Sequence, residues 1–119
     1  MLWFLEGDYR SLSEKSRHTI ETSTNSIFVS IVSLWEVTVK INIGKLKLRN
    51  SLDGLQTLMA SNGFRTLDIQ LDHLKANLKL ELHHRDPFDR LIISQAVTEG
   101  FRVVTKDRNF SLYPIKTIW

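Results

Sequence analysis

Short apolar runs alternate along this chain with longer segments of helical character, and most boundaries between them are marked by a capping or turn residue. The apolar runs predict strands at residues 26–31, 64–69, 101–105 and 115–119, the last of them an edge strand. Strands that are separated by helices need crossover connections, and these connections cover both faces of a mostly parallel sheet. The predicted fold class is therefore α/β.

The predicted helices begin at residues that favour N-caps, and several of them end at glycine or asparagine. They run from Leu12 to Thr22 after a Ser11 or Ser13 cap, from the Ser33 cap to about Ile43, from Asn50 or Ser51 to Asn62–Gly63, from about Gln70 to Leu82, and from Asp86–Pro87 to Gly100. Proline is tolerated at the first position of a helix, which strengthens the last of these assignments.

The length and composition limit the possible classes of protein. The 119 residues fit one compact domain, and residues 1–119 are predicted to form it alone. The chain has no cysteine and shows no leader pattern at its N-terminus, so a reducing cytoplasm is the expected location. A formal net charge of +3 favours contact with polyanions, but the signal is weak because the scattered basic residues fit an ordinary solvated surface.

Three acidic residues follow predicted strands. Glu36 lies on the first turn of the helix after the first strand, and Asp89 on the first turn of the helix that begins at Pro87. Asp107 comes two residues after the strand that ends at Thr105. Ligands of α/β proteins bind beyond the carboxyl ends of the strands, so these carboxylates are expected to converge on one edge of the sheet. Converging carboxylates need a shared hard cation such as Mg²⁺ or Mn²⁺, which can assist displacement at phosphorus.

Each of these acids also has a structural explanation, which the sequence leaves open. Glu36 stands three residues after the predicted Ser33 cap, which is the spacing of a capping box. Asp89 holds the same place after Asp86, where the helix dipole favours a negative charge. Asp107 lies in a run of turn-forming residues at 106–109.

Other candidate residues have weaker support. His83 and His84 could bind a metal, but adjacent histidines in a loop lack the spacing of zinc sites. Thr105 could orient a water molecule or a phosphate, or it could simply end a strand. The tryptophans have apolar neighbours that favour burial over stacking on bases: Trp3, Trp35 and Trp119. Phosphate-binding glycine loops and the serine nucleophile motif do not occur in the sequence.

Taken together, several segments resemble the VapC-type branch of the PIN domain family. Leu2–Asp8 resembles the end of its first helix, Val29–Glu36 its second strand with the second acid, and His84–Ile92 its third-acid motif. Val103–Asp107 with Phe110 resembles the strand before its fourth acid, and Tyr113–Trp119 resembles its closing strand. The match spans essentially the whole chain. The resemblance implies a three-layer PIN-like fold in which a mostly parallel sheet is flanked by helices.

The resemblance also implies a function for individual residues. Glu36, Asp89 and Asp107 correspond to acids that bind Mg²⁺ or Mn²⁺ and catalyse RNA cleavage, and the supporting positions are Asp86, Arg90 and Thr105. Members of this branch typically cleave single-stranded or structured RNA. They pair as homodimers and are silenced by a cognate antitoxin that inserts into the active-site groove.

One departure from the family pattern affects both fold and function. The first acid of the family ends a central first strand, whereas residue 1 of this chain already corresponds to the helix that follows. Asp8 lies at the far end of that helix and is not expected to replace it. Residues 1–119 are therefore expected to lack the first strand and its aspartate and to form three or four strands, with the centre of the sheet vacant or re-paired.

Two other functions are consistent with parts of the sequence. The first is a catalytically inactive homologue that binds an antitoxin or RNA without cleaving it. The second is a receiver-like signalling domain, which needs an acidic pair after its first strand and an aspartate after its central strand. Neither of those features is visible in the sequence.

Overall fold

The computed structural model of this chain describes residues 12–49 and 51–119. The predictions for residues 2–8, for Asp8, for a Ser11 cap and for a helix start at Asn50 lie outside the described residues. The described elements are, in chain order, α1 Glu14–Glu21, β1 Phe28–Ser30, α2 Ile31–Asn42, α3 Leu52–Ser61, β2 Arg65–Leu67, α4 Leu71–Lys79, α5 Pro87–Glu99, β3 Val103–Val104, a 3₁₀ helix Arg108–Leu112, and β4 Thr117–Ile118.

Helices and parallel strands alternate along the described chain, which confirms the α/β class. β1 pairs with β2 and β3 pairs with β4, and both pairs are parallel. Four strands are found among residues 12–49 and 51–119, a number within the expected range. The state of the sheet centre, the three-layer arrangement and the missing first strand stay predictions.

The chain divides into two compact units between Leu67 and Asp68, here called the N-terminal unit and the C-terminal unit. The assignment of residues 1–119 to one domain stays a prediction. No helix in the described part of the chain is both long enough and apolar enough to cross a membrane.

The core of the N-terminal unit forms between the β1–β2 pair and α3. Its buried side chains are Val29, Leu55, Met59 and Phe64, with Ile20, Ile27, Leu34 and Leu48 packed against them. The strands pair in register from Phe28 with Arg65 to Ser30 with Leu67, and the Arg65 amide extends the ladder by donating to the Ile27 carbonyl at 2.9 Å. The strand predicted at 26–31 is therefore present but shorter than predicted, and Val29 is its buried residue.

Serine caps define two helices of this unit as the sequence predicts. The Ser13 side chain accepts a hydrogen bond from the Ser16 amide at 3.1 Å, and the Ser51 side chain accepts one from the Gly54 amide at 3.1 Å. Each bond satisfies one of the amides that a helix leaves without a partner at its N-terminus. After α3 the chain turns at Gly63, whose φ of 72° is a conformation that glycine adopts without strain.

The start of α2 differs from the prediction. The preceding strand ends at Ser30, and Ser30 rather than Ser33 is the N-cap, because its side chain accepts a hydrogen bond from the Val32 amide at 3.1 Å. Ile31 was expected to end the strand, but it begins the helix together with the β-branched Val32. Val32 is only 1% exposed there, and this burial outweighs the strand preference of a β-branched side chain.

The C-terminal unit has its own apolar core. Ile93, Phe110 and Tyr113 are buried, with Leu80, Ile92, Val103 and Ile115 packed against them. The β3–β4 ladder is extended beyond the strands by two hydrogen bonds, from the Val103 amide to the Lys116 carbonyl at 2.9 Å and from the Thr105 amide to the Ile118 carbonyl at 3.1 Å. The strands predicted at 101–105 and 115–119 are therefore present but shorter than predicted.

Buried polar side chains join α4 to its surroundings in the C-terminal unit. His73 is fully buried, and its Nδ1 accepts a hydrogen bond from the Gln70 amide at 2.9 Å while its Nε2 lies 2.8 Å from Glu99 Oε1 at the end of α5. Asn77 of α4 donates to the buried Ser94 hydroxyl of α5 at 3.1 Å. Buried polar groups are costly unless they are hydrogen-bonded, so these pairings specify how α4 packs on α5.

The boundaries of α5 agree with the prediction. Asp86 is the N-cap, Pro87 occupies the first turn, and Gly100 ends the helix in the left-handed conformation with a φ of 70°. α4 ends at Lys79, three residues earlier than predicted, because Leu80 already adopts an extended conformation.

Candidate functional site

Glu36 lies in the N-terminal unit, on the second turn of α2. Because α2 is capped by Ser30, Glu36 is not three residues after the cap, and the capping-box explanation for this acid is wrong. Its carboxylate lies 3.8 Å from the ammonium of Lys40, one turn further along the helix, and its side chain is 28% exposed. An ion pair of this length at a partly exposed site holds the carboxylate only weakly.

Asp89 lies in the C-terminal unit, on the first turn of α5 as predicted. The N-cap Asp86 accepts a hydrogen bond from the Asp89 amide through Oδ1 at 3.1 Å, so one half of the predicted capping arrangement is present. The Asp89 side chain is 17% exposed, and its Oδ2 lies 3.4 Å from Nε2 of His84. Asp89 is thus a mostly buried carboxylate near the positive end of a helix dipole, where negative charge is stabilised.

Asp89 and three polar side chains form a connected set, here called the Tyr113 network and consisting of Asp89, His84, Tyr113 and Arg90. The Tyr113 hydroxyl lies 2.7 Å from His84 Nδ1, and it accepts hydrogen bonds from Arg90 Nη1 at 3.1 Å and from the His84 amide at 3.3 Å. Arg90 was expected to support the site, and its side chain donates a hydrogen bond to the Tyr113 hydroxyl.

Asp107 lies in the C-terminal unit, after β3 and before the 3₁₀ helix. Its Oδ1 accepts a hydrogen bond from the Asn109 amide at 2.9 Å, so it is the N-cap of that helix. Its own amide donates to the Thr105 hydroxyl at 3.1 Å. The predicted turn at 106–109 is therefore real, and Thr105 holds the backbone of the acid. Asp107 remains exposed to solvent.

The structure describes each predicted acid within its own unit. Asp89 and Asp107 belong to the C-terminal unit and Glu36 to the N-terminal unit, so the convergence of the three carboxylates stays a prediction. Within residues 12–49 and 51–119, no group of three or more histidine, aspartate or glutamate side chains is arranged to hold a metal ion. The donor chemistry fits a hard divalent cation, because all three side chains offer carboxylate oxygen and retain some exposure to solvent.

The other candidates also have defined surroundings. His83 lies 3.2 Å from the exposed carboxylate of Glu81, and its ring packs edge-on against Tyr113 at a centroid distance of 4.9 Å. His84 is bonded within the Tyr113 network. Neither histidine is part of a metal-binding group in the described chain. Trp35 was expected in the core, but it is 56% exposed on α2.

Two residues of this site, His84 and Tyr113, were not predicted to form a network with Asp89. The sequence pattern assigns Tyr113 only to the closing segment and treats His84 as a weak metal candidate. The one local signal is that His84 precedes the Asp86–Asp89 run by two residues, which is close enough for it to reach the start of α5. The contribution of Tyr113 depends on a contact between distant parts of the chain, so no local pattern could reveal it.

The sequence profile of the PIN domain family matches residues 1–116. No curated protein and no solved structure shows significant similarity to the chain. PIN domains are generally metal-dependent nucleases that act on RNA or DNA. Because the match covers almost all of the sequence, the chain belongs to the PIN domain family.

Proposed function

We propose that this chain is an endoribonuclease of the VapC toxin type, which uses Mg²⁺ or Mn²⁺ to hydrolyse phosphodiester bonds in RNA. Family membership supports metal-dependent nuclease activity. The narrower assignment to RNA and to the toxin type rests on the sequence resemblance. The observation that carries the proposal is the setting of Asp89, a mostly buried carboxylate at the start of a helix with His84 beside it.

In this proposal Glu36, Asp89 and Asp107 hold the cation and are the catalytic residues. When bound, the cation supplies the positive charge that activates water and stabilises the phosphoryl oxygens during displacement. The protein contributes fixed carboxylates. Asp86 secures the first turn of α5 that carries Asp89, and Thr105 secures the turn that carries Asp107.

The remaining parts of the proposal concern substrate and partners. The net charge of +3 favours binding of a polyanion such as RNA. By resemblance, we propose a cognate antitoxin as the protein partner and a homodimer as the assembly. We propose the cytoplasm as the location because the sequence has no cysteine.

The proposal predicts that the chain cleaves single-stranded RNA in the presence of Mn²⁺. The measurement is gel analysis of a labelled oligoribonucleotide incubated with Mn²⁺, with Mn²⁺ plus a chelator, and with a DNA oligonucleotide of the same sequence. Cleavage of the RNA that disappears with the chelator is the expected result. Equal cleavage with and without the chelator would contradict the metal-dependent mechanism.

Binding without cleavage would support the second candidate, a catalytically inactive homologue. In that case the RNA would bind with an affinity that falls as salt increases, because binding releases counterions from the phosphates. Fluorescence polarisation of the same oligoribonucleotide at several salt concentrations measures this. Absence of both cleavage and binding would contradict RNA as the substrate class.

A further inference from the structure

The hydrogen bonds of the Tyr113 network determine where its protons lie. Arg90 Nη1 and the His84 amide can only donate hydrogen bonds, and both lie within bonding distance of the Tyr113 hydroxyl oxygen, at 3.1 Å and 3.3 Å. A hydroxyl oxygen has two acceptor lone pairs, and these two donors use both. The hydroxyl proton of Tyr113 must therefore point towards its remaining neighbour, His84 Nδ1, at 2.7 Å.

This arrangement selects one tautomer of His84. Because Nδ1 accepts the proton of Tyr113, it carries no proton of its own, and a neutral imidazole then carries its proton on Nε2. Nε2 is the atom that faces Asp89 Oδ2, at 3.4 Å. The ring therefore directs an N–H towards the carboxylate. The opposite tautomer would place the lone pair of Nε2 against a carboxylate oxygen, which is unfavourable.

Arg90, which donates a hydrogen bond to Tyr113, is itself hydrogen-bonded to backbone carbonyls. Arg90 Nη1 also donates to the Glu81 carbonyl at 2.8 Å, and Nη2 donates to the Leu80 carbonyl at 3.2 Å. Tyr113 is 4% exposed and belongs to the core of the C-terminal unit. Arg90 and Tyr113 are thus both held in place, and the direction of the hydroxyl proton is held with them.

We infer that His84 and Tyr113 are positioning residues for Asp89: Tyr113 fixes the tautomer of His84, and His84 orients the Asp89 carboxylate for its catalytic role. This inference rests on the proposed function, because it assigns the oriented carboxylate to the cation site. Hydrogen bonds to a metal-binding carboxylate fix its orientation and its strength as a ligand, and their loss typically lowers metal affinity about 10- to 100-fold.

A purely structural role would have different consequences. If the network only fastened the segment at 80–86 onto α5, its loss would change the stability of the fold and leave the tautomer of His84 and the binding of Mn²⁺ unaffected. The Tyr113→Phe variant separates the two roles, since it keeps the buried ring and its packing against His83 and His84 and removes only the hydroxyl.

The first test is the tautomer of His84, measured by ¹⁵N NMR of the imidazole nitrogens at a pH of about 8, where an ordinary imidazole is neutral. The signals of His84 are assigned by their loss in a His84→Gln variant. The expected result is a proton on Nε2 in the parent chain and a shift of the population towards the other tautomer in Tyr113→Phe. A proton on Nδ1 in the parent chain would overturn the inference.

The second test is the affinity for Mn²⁺, measured by titration of the parent chain, Tyr113→Phe, His84→Leu and His84→Gln. We expect affinity to fall about 10- to 100-fold in Tyr113→Phe and in His84→Leu, and to recover largely in His84→Gln. Glutamine can present an amide N–H near the place of Nε2, whereas leucine fills the volume without a donor. Unchanged affinity in both Tyr113→Phe and His84→Leu would overturn the positioning role.

Failure of the proposed function gives a different result from failure of this inference. A parent chain that binds no Mn²⁺ would contradict the proposed metal site, and with it the use of the oriented carboxylate. The tautomer measurement needs no metal, so it decides the orientation of His84 towards Asp89 in either case.

Discussion

Replacing Asp89 with asparagine is expected to lower Mn²⁺-dependent RNA cleavage by about 100-fold or more, the size of effect that follows loss of one stabilising group at a reaction centre. Asparagine has nearly the shape of aspartate, and its amide oxygen can still accept a hydrogen bond from His84. What the variant loses is the negative charge that attracts the cation. The initial rate of cleavage of a labelled oligoribonucleotide, compared with that of the parent chain, measures the effect.

Asp72→Asn is the matched control for this prediction. Asp72 also lies in the first turn of a helix of the C-terminal unit, but its side chain is exposed on α4. The control therefore makes the same change of charge at a similar position in a helix. Cleavage should stay within about twofold of the parent chain, as is usual for surface substitutions. An equal loss in both variants, or no loss in Asp89→Asn, would contradict a catalytic role for Asp89.

Replacing His73 with leucine is expected to lower the free energy of unfolding by about 2–4 kcal/mol, because it removes one hydrogen bond to a backbone amide and one to a carboxylate. The imidazole accepts from the Gln70 amide at 2.9 Å and lies 2.8 Å from Glu99 Oε1, and it is fully buried. Leucine fills a similar volume but can make neither hydrogen bond. Urea unfolding followed by circular dichroism measures the difference.

Glu99→Gln provides the comparison for the His73 variant. Glutamine keeps an oxygen that can accept a hydrogen bond from His73 Nε2, and the Glu99 side chain is 36% exposed. The expected loss is therefore smaller, about 1 kcal/mol or less. A His73→Leu variant as stable as the parent chain would show that apolar packing at this position can replace the hydrogen bonds.

The helix boundaries that sequence predicted correctly depend on local chemistry. Ser13 and Ser51 cap helices because a serine oxygen can reach an amide two or three residues further on, and Gly100 ends α5 because glycine adopts a positive φ without strain. These interactions involve only neighbouring residues. A pattern of residue types is therefore enough to locate them.

The predicted start of α2 was wrong, and this helix shows where local sequence patterns are not sufficient. Ser30 and Ser33 are both good caps, and the β-branched pair Ile31–Val32 between them favours a strand. The burial of Val32 decides between the two possibilities, and burial depends on the folded chain around it. Trp35 was likewise expected in the core and lies exposed on the same helix.

The lengths of the strands depend on partners that are distant in sequence. Phe28 pairs with Arg65 and Val103 pairs with Thr117, so the end of each strand is set where its partner ends. Apolar runs located these strands but overstated their lengths. A run of β-branched residues favours the strand conformation, but a strand also needs a neighbouring strand that supplies hydrogen bonds.

The candidate site was predictable in part for the same reason. The sequence located Asp89 and Asp107 on the elements where the structure has them, because both follow from recognisable helix and strand ends. The setting of Asp89 was not predictable, since Tyr113 meets His84 and Arg90 only in the folded C-terminal unit.

The most direct test of the central claim is the binding of Mn²⁺, measured by electron paramagnetic resonance as Mn²⁺ is added to each protein. The proteins compared are the parent chain, the variants Glu36→Gln, Asp89→Asn and Asp107→Asn, and the control Asp72→Asn. The account predicts that the parent chain and the control bind Mn²⁺ that Mg²⁺ displaces, and that each of the three other variants binds it at least about tenfold more weakly. Binding of equal strength in all five proteins would contradict a metal site formed by these carboxylates, as would the absence of binding in the parent chain.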